Sequence, residues 1–337
     1  MFLKKFINKP ENVVDEMVEG FLAAHSDVVR KLETSRVLVR KEAPIEGKVG
    51  LVTGGGSGHK PAFIGYIGEN LLDAVAVGDI FASPSAKQIY DAIKACDSGK
   101  GVLCVLGNYS GDVMNFDMAV EMARDEGVKV EQVIINDDVG SAPKEKKENR
   151  RGVAGEVVVW KAIGAKAAKG ASLEEVKEIA ERVNNNTRSM GVAHSPCAVP
   201  SKMYGGEPTF TLGEMEMEIG VGHHGEPGVK RMQMKTADEI TEMLTEPVLK
   251  DLPFEKGDRV SVLINGLGST SLLEMYIIYR KLTQILKDKG ISIAISWIGE
   301  FFTSLEMGGF SITLTRLDDE LEELLKMPAR APLFRYP

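Results

Sequence analysis

Two of the chain's five histidines, His223 and His224, stand side by side in the glycine-rich segment Gly220-Val221-Gly222-His223-His224-Gly225-Glu226-Pro227-Gly228. A neutral imidazole nitrogen can add to an electrophilic carbon, so this segment offers nucleophilic chemistry; an exposed loop pair without a role is the plain alternative. Zinc fits less well, because adjacent side chains diverge and no further ligands follow at a spacing such as H-E-x-x-H. A third histidine, His59, ends the run Thr53-Gly54-Gly55-Gly56-Ser57-Gly58-His59-Lys60-Pro61. Its small residues let backbone N–H groups approach a ligand closely, although a tight strand-to-helix turn would use them equally. The run is not a Walker A loop, since His59 separates Gly58 from Lys60 and Pro61 takes the hydroxyl position. Nor is it a dinucleotide fingerprint, which needs glycine where His59 stands.

Asp112 closes a second glycine-bounded run, Gly107-Asn108-Tyr109-Ser110-Gly111-Asp112, just before a helical pattern. Aspartate at a helix start is commonly a cap. It can also take a proton from a substrate hydroxyl during phosphoryl transfer. A further stretch, Asn265-Gly266-Leu267-Gly268-Ser269-Thr270-Ser271, either binds an anion at a helix start or is capped by its own hydroxyls.

The elements that must hold these loops follow an α/β rhythm. Apolar runs at Val49–Thr53 and Gly101–Leu106 lead into the two glycine loops, and helical patterns follow at Ser85–Ala95 and Asn115–Glu126, with a strand at Val128–Ile135. Such alternation predicts a parallel sheet with ligands at the carboxyl ends of its strands. Helices are expected over Val153–Lys169 and, after Ser172 as a cap, over Leu173–Asn185; the charged run Lys144–Arg151 reads as a solvated face. A Pro- and Gly-rich texture from His194 onward marks a change of domain. Beyond it the rhythm resumes, with strands at Arg259–Asn265, Ile291–Ile298 and Phe310–Leu314 and helices at Leu272–Lys287 and Asp318–Lys326. The expected fold is α/β, with two sheet-based domains of largely parallel or mixed sheets and flanking helices. The first would span residues 1–190, with the Gly-rich loop and Asp112, and the second 191–337, with His224.

Net charge is −8, from 41 Lys and Arg against 49 Asp and Glu, which argues against a nucleic-acid partner. Three dispersed cysteines, Cys96, Cys104 and Cys197, form no disulfide framework and suit a reducing cytoplasm. The first residues lack the apolar stretch of a secretion signal, and no segment is long and apolar enough to span a bilayer. A soluble cytoplasmic protein without a membrane partner is therefore expected.

GGGSGH, GNYSGDVMNF and GHHGEPG, in this order, make the whole chain resemble the substrate-binding subunit of the dihydroxyacetone kinase family. The resemblance implies a homodimer of two-domain subunits that binds dihydroxyacetone, or a related short ketose, as a hemiaminal on a histidine corresponding to His224. It also implies a catalytic aspartate at Asp112, an acid/base histidine at His59, and a substrate pocket of Gly56, Ser57, Gly58, His59, Ser83, Asp112 and His224. No metal or cofactor is expected on this chain. The phosphoryl group would come from a separate nucleotide-binding kinase subunit carrying ADP or ATP with Mg²⁺, recharged in some bacteria by a phosphoenolpyruvate-dependent phosphotransferase chain. Two residues depart from the family pattern: Gly107 stands where the best-known members have Lys, and Lys60 where they have Glu. These changes resemble kinases of tetruloses such as erythrulose, since loss of the side chain at 107 would open space for one more hydroxymethyl group. A ketose sensor paired with a transcription regulator is the non-enzymatic alternative. An isomerase or aldolase would want a Schiff-base lysine or a metal, and no constellation offers one.

Overall fold

The computed structural model describes residues 3–33 and 35–337. Two six-stranded sheets organise them. In the first, the strand order is Val29–Lys31, Val37–Arg40, Ala74–Val77, Gly50–Gly55, Val102–Gly107, Val130–Ile135. The last four run parallel, while Val37–Arg40 and Val29–Lys31 add an antiparallel edge. Strands Gly50–Gly55, Ala74–Val77 and Val102–Gly107 are buried along their whole length, as a parallel sheet covered by helices on both faces requires.

The second sheet has the order Lys230–Gln233, Glu216–Ile219, Thr187–Ser195, Gly308–Leu317, Arg259–Gly266, Ser292–Gly299. It is mixed: Arg259–Gly266 and Ser292–Gly299 pair in parallel through the crossover helix Leu272–Asp288, and the other pairings are antiparallel. Strand Thr187–Ser195 pairs with Gly308–Leu317 from end to end, so the chain joins the second sheet at Thr187 and position 190/191 falls inside a strand. The closing helix Asp319–Lys326 packs back onto helix Gly155–Ala168.

Helices Ala86–Cys96 and Ser110–Asp125 cover the outer face of the first sheet, and Ala237–Asp251 and Leu272–Asp288 that of the second. Between the sheets, one continuous core takes in helices Gly155–Ala168 and Leu173–Asn186 with residues of both sheets, among them Leu51, Leu103, Leu263 and Trp297. Helix Gly155–Ala168 is buried on nearly every side, which accounts for its all-round apolar sequence. Capping is explicit: Ser172 and Ser271 each accept the backbone N–H of Glu175 and Glu274, which reach back to them. The stretch ending at Ser271 is thus an ordinary helix start.

The charged run is the solvated face expected of it except at its last two residues. Lys144–Asn149 form two exposed 3-10 turns broken by a kink at Lys146, but Arg150 and Arg151 point inward, where Asp251 and Asp138 are their partners. The three cysteines are buried and unbridged. Among the described residues no helix is long and apolar enough to cross a membrane.

Candidate active site

Strand Gly50–Gly55 ends at Gly56, and a single 3-10 turn, Ser57–His59, carries the histidine into the space between the sheets. The Ser57 hydroxyl donates to Gly78 O at 2.7 Å and anchors the turn. Glycine is required twice: a Cβ at Gly56 would lie 2.9 Å from Phe81 N, and one at Gly58 would lie 2.3 Å from Phe81 Cε1. The second sheet grips the same turn. Leu305 N–H donates to Gly58 O at 2.7 Å, Thr303 N–H to His59 O at 3.2 Å, and His59 Nδ1 lies 2.8 Å from Thr303 O. A carbonyl oxygen only accepts, so Nδ1 of His59 carries the proton. Burial, reinforced by His224 and His223, pushes the pKa of His59 well below its ordinary value.

His224 stands in the loop between strands Glu216–Ile219 and Lys230–Gln233. Its Nε2 lies 3.0 Å from Nε2 of His59, and its Nδ1 lies 2.9 Å from Glu226 Oε1, while Glu226 Oε2 accepts the His224 backbone N–H at 2.9 Å. Burial alone would raise the pKa of Glu226, but these contacts with His224 outweigh it and hold the carboxyl at about 2. Arg151 links this carboxylate, at 3.9 Å, to Asp138, at 2.8 Å. His223 is buried against Phe302, its Nδ1 has no partner among the described residues, and burial first, then the charge of His224, lowers its pKa to about 3. Its burial against Phe302 makes it part of the wall of the site.

Asp112 lies in the first turn of helix Ser110–Asp125, but it caps nothing: its Oδ1 is buried without a partner among the described residues. Burial raises its pKa to about 6, against the opposing influence of the Ser83 hydroxyl and the charge of His224. Asn115 Nδ2 holds Ser83 Oγ at 3.3 Å beside it. Aromatic rings close the space, with the centroids of Phe81 and Tyr109 4.8 and 4.9 Å from that of His224.

The structure therefore brings Gly56, Ser57, Gly58, His59, Ser83, Asp112 and His224 to one place, where strand ends of the first sheet meet loops of the second. Lys60 lies over the Phe63 ring, its Nζ 5.8 Å from the ring centre, and burial lowers its pKa to about 7. Sequence reasoning missed Arg151, hidden in a charged run, and Thr303, which acts through backbone atoms that leave no signature. Among the described residues no cluster of His, Cys, Asp and Glu is arranged to hold a metal. A cavity of about 190 Å³ in the second half, lined by Val192, Ile240, Phe310, His194 and Glu274, contains none of the site residues.

Fold and site define a two-sheet α/β protein in which an imidazole pair, backed by a carboxylate, faces a second, elevated carboxyl. The chain belongs to the Dak1 domain family, whose model matches residues 19–333. It is 46% identical over 334 residues to the dihydroxyacetone-binding subunit DhaK of PTS-dependent dihydroxyacetone kinase 2 of Listeria innocua, covering 99% of each chain. To the L-erythrulose kinase of Pectobacterium atrosepticum it is 43% identical, over 97% of this chain and 55% of that one. The solved dihydroxyacetone kinase of C. freundii superposes with a TM-score of 0.90 at 34% identity, over 99% of this chain. This chain spans about 60% of that kinase.

Proposed function

We propose that this chain is the ketose-binding subunit of a dihydroxyacetone-type kinase, capturing dihydroxyacetone or a related short ketose as a hemiaminal on His224. The observation that carries the reading is the 3.0 Å contact between Nε2 of His224 and Nε2 of His59. Both Nδ1 atoms are committed as donors, to Glu226 and to Thr303 O, so two bare Nε2 lone pairs would repel each other. A proton shared between them removes that repulsion. When Nε2 of His224 adds to the ketone carbon, the N–C bond forms and the carbonyl π pair moves to oxygen. The shared proton passes through His59 to that oxygen and makes it a hydroxyl. Positive charge then resides on the alkylated imidazole, next to the Glu226 carboxylate, and His59 is left neutral, the state its burial favours. Glycerol has no carbonyl and cannot react.

Asp112 then takes the proton from a terminal hydroxyl as that oxygen attacks phosphorus. The phosphoryl donor is a separate nucleotide-bearing subunit, whose Mg²⁺-bound ATP loses its γ-phosphoryl group to that oxygen and is left as ADP; it meets a homodimer of this chain in the cytoplasm. Intact-mass measurement with ketoses and with the corresponding polyols tests the capture step. A ketose adduct that vanishes in His224→Ala is expected; an adduct that persists there removes the step. Adduct formation without turnover alongside the nucleotide-bearing subunit would instead make the chain a binder.

A further inference from the structure

The space left by Gly107 is not empty. A methyl group there would stand 2.6 Å from Glu156 Oε1, 3.4 Å from Tyr109 Cδ2 and 3.5 Å from Gly152 O. The loss of a side chain at 107 therefore opens no room for a hydroxymethyl group at that point; it admits the carboxyl of Glu156. This residue, in the first turn of helix Gly155–Ala168, is 1% exposed, and its Oε2 has no hydrogen-bond partner among the described residues. The hydroxyl of Tyr109, whose ring adjoins His224, is likewise buried and unpartnered. Buried polar groups are normally satisfied, and these two adjoin the site, Tyr109 through its ring against His224 and Glu156 within reach of the charge of Asp112.

We propose that Glu156 is a specificity-determining residue of the ketose site: together with Tyr109 it hydrogen-bonds hydroxyls beyond the one presented to Asp112, so that a four-carbon ketose is captured in preference to dihydroxyacetone. The inference rests on the capture reading above. A captured triose has one hydroxyl left after those facing His59 and Asp112; a captured tetrulose has two, matching the two unpartnered groups. Burial, with the charges of Asp137 and Asp112, raises the pKa of Glu156 well above its ordinary value and so favours the protonated acid, a form that both donates and accepts. A lysine reaching in from position 107 would set a cation where this chain sets the Glu156 carboxyl. Sites that hydrogen-bond a substrate hydroxyl discriminate strongly against analogues lacking it.

Native intact-mass competition between equimolar dihydroxyacetone and erythrulose, each enantiomer in turn, tests this. For the unmodified chain the erythrulose adduct of one enantiomer should exceed the dihydroxyacetone adduct by roughly tenfold. Glu156→Gln, which still donates and accepts, should keep most of that ratio. Glu156→Met should bring it to about one, and Gly107→Ala should do the same by displacing the carboxyl without altering it. Adducts of both ketoses at an unchanged ratio in Glu156→Met and Gly107→Ala would overturn the proposal, as would a preference of the unmodified chain for dihydroxyacetone. If the unmodified chain forms no ketose adduct at all, the capture reading itself falls, and this inference with it.

Discussion

Glu226 Oε1 lies 2.9 Å from Nδ1 of His224, and the same carboxylate receives the His224 backbone N–H through its other oxygen. Both ends of the nucleophilic residue are thus fixed by one side chain two positions along the loop. Glu226→Gln turns one of these acceptors into an amide donor facing an N–H and removes the charge that balances the alkylated imidazole. Hydrogen bonds to charged groups contribute about 1.5–3 kcal/mol, so ketose affinity should fall roughly ten- to a hundredfold. Titrating the adduct by intact mass measures it; unchanged affinity would remove Glu226 from the capture step.

The carboxyl of Asp112, raised to about 6, gives the reaction its acid limb. Only the ionised form accepts the hydroxyl proton, so phosphorylation should decline about tenfold per pH unit below about 6, while adduct occupancy need not follow. The same displacement has a sign for stability. A carboxyl whose folded pKa lies above its unfolded value favours the fold at low pH and loses that advantage as pH rises through about 6. Asp112→Asn should therefore abolish turnover yet stabilise the chain by about 1–3 kcal/mol at neutral pH, a gain that disappears near pH ~4. Urea melts at the two pH values, with turnover measured in parallel, check both halves.

Strands buried on both faces are legible because they read as unbroken apolar runs, as Val102–Leu106 does. Lys230–Gln233, with the sequence KRMQ, and the half-exposed Ser292–Gly299 lack that continuity. The former is unreadable in the sequence, and the latter is legible by its place after a helix. In the site, His59, Asp112 and His224 stood out because each closes or follows glycines that let the backbone turn. Thr303 contributes a carbonyl oxygen that any residue type would supply, and Glu156 becomes informative only once Gly107 is seen against it.

Packing of Phe81 depends on Gly58. The Phe81 backbone is left-handed, with φ of +56°, and its ring centroid lies 5.2 Å from that of His59 and 4.8 Å from that of His224. In Gly58→Ala the new methyl would stand 2.3 Å from Phe81 Cε1, so the ring must move and the two imidazoles lose their wall. A displacement of about 1 Å at reacting groups can cost about a hundredfold, and at least a tenfold weaker capture is expected. Gly20→Ala provides the contrast: nothing lies within 4 Å of that position in helix Val13–His25, and the change should stabilise by about 0.5–1 kcal/mol with capture untouched. Adduct titration and thermal melts of the two variants separate a local effect from a general one.

Asp251 fastens the two halves away from the chemistry. It ends helix Ala237–Asp251, meets Arg150 through paired contacts of 2.9 and 2.6 Å, and receives Nε of Arg188 from strand Thr187–Ser195. Burial would raise its pKa, but the two guanidiniums prevail and hold it at about 2. The folded pKa lies below the unfolded value, so this carboxylate stabilises the chain above pH ~4 and ceases to do so as pH falls through about 2. Removing one member of a buried ion cluster leaves uncompensated charge, so Asp251→Ala should cost about 3–5 kcal/mol at neutral pH. Near pH ~3 the part of that cost due to the carboxylate's charge should be about half as large, because the unfolded chain is by then mostly protonated at this position. Urea midpoints of both proteins across this range measure the gap; a gap of constant size would assign the loss to the missing volume instead of the charge.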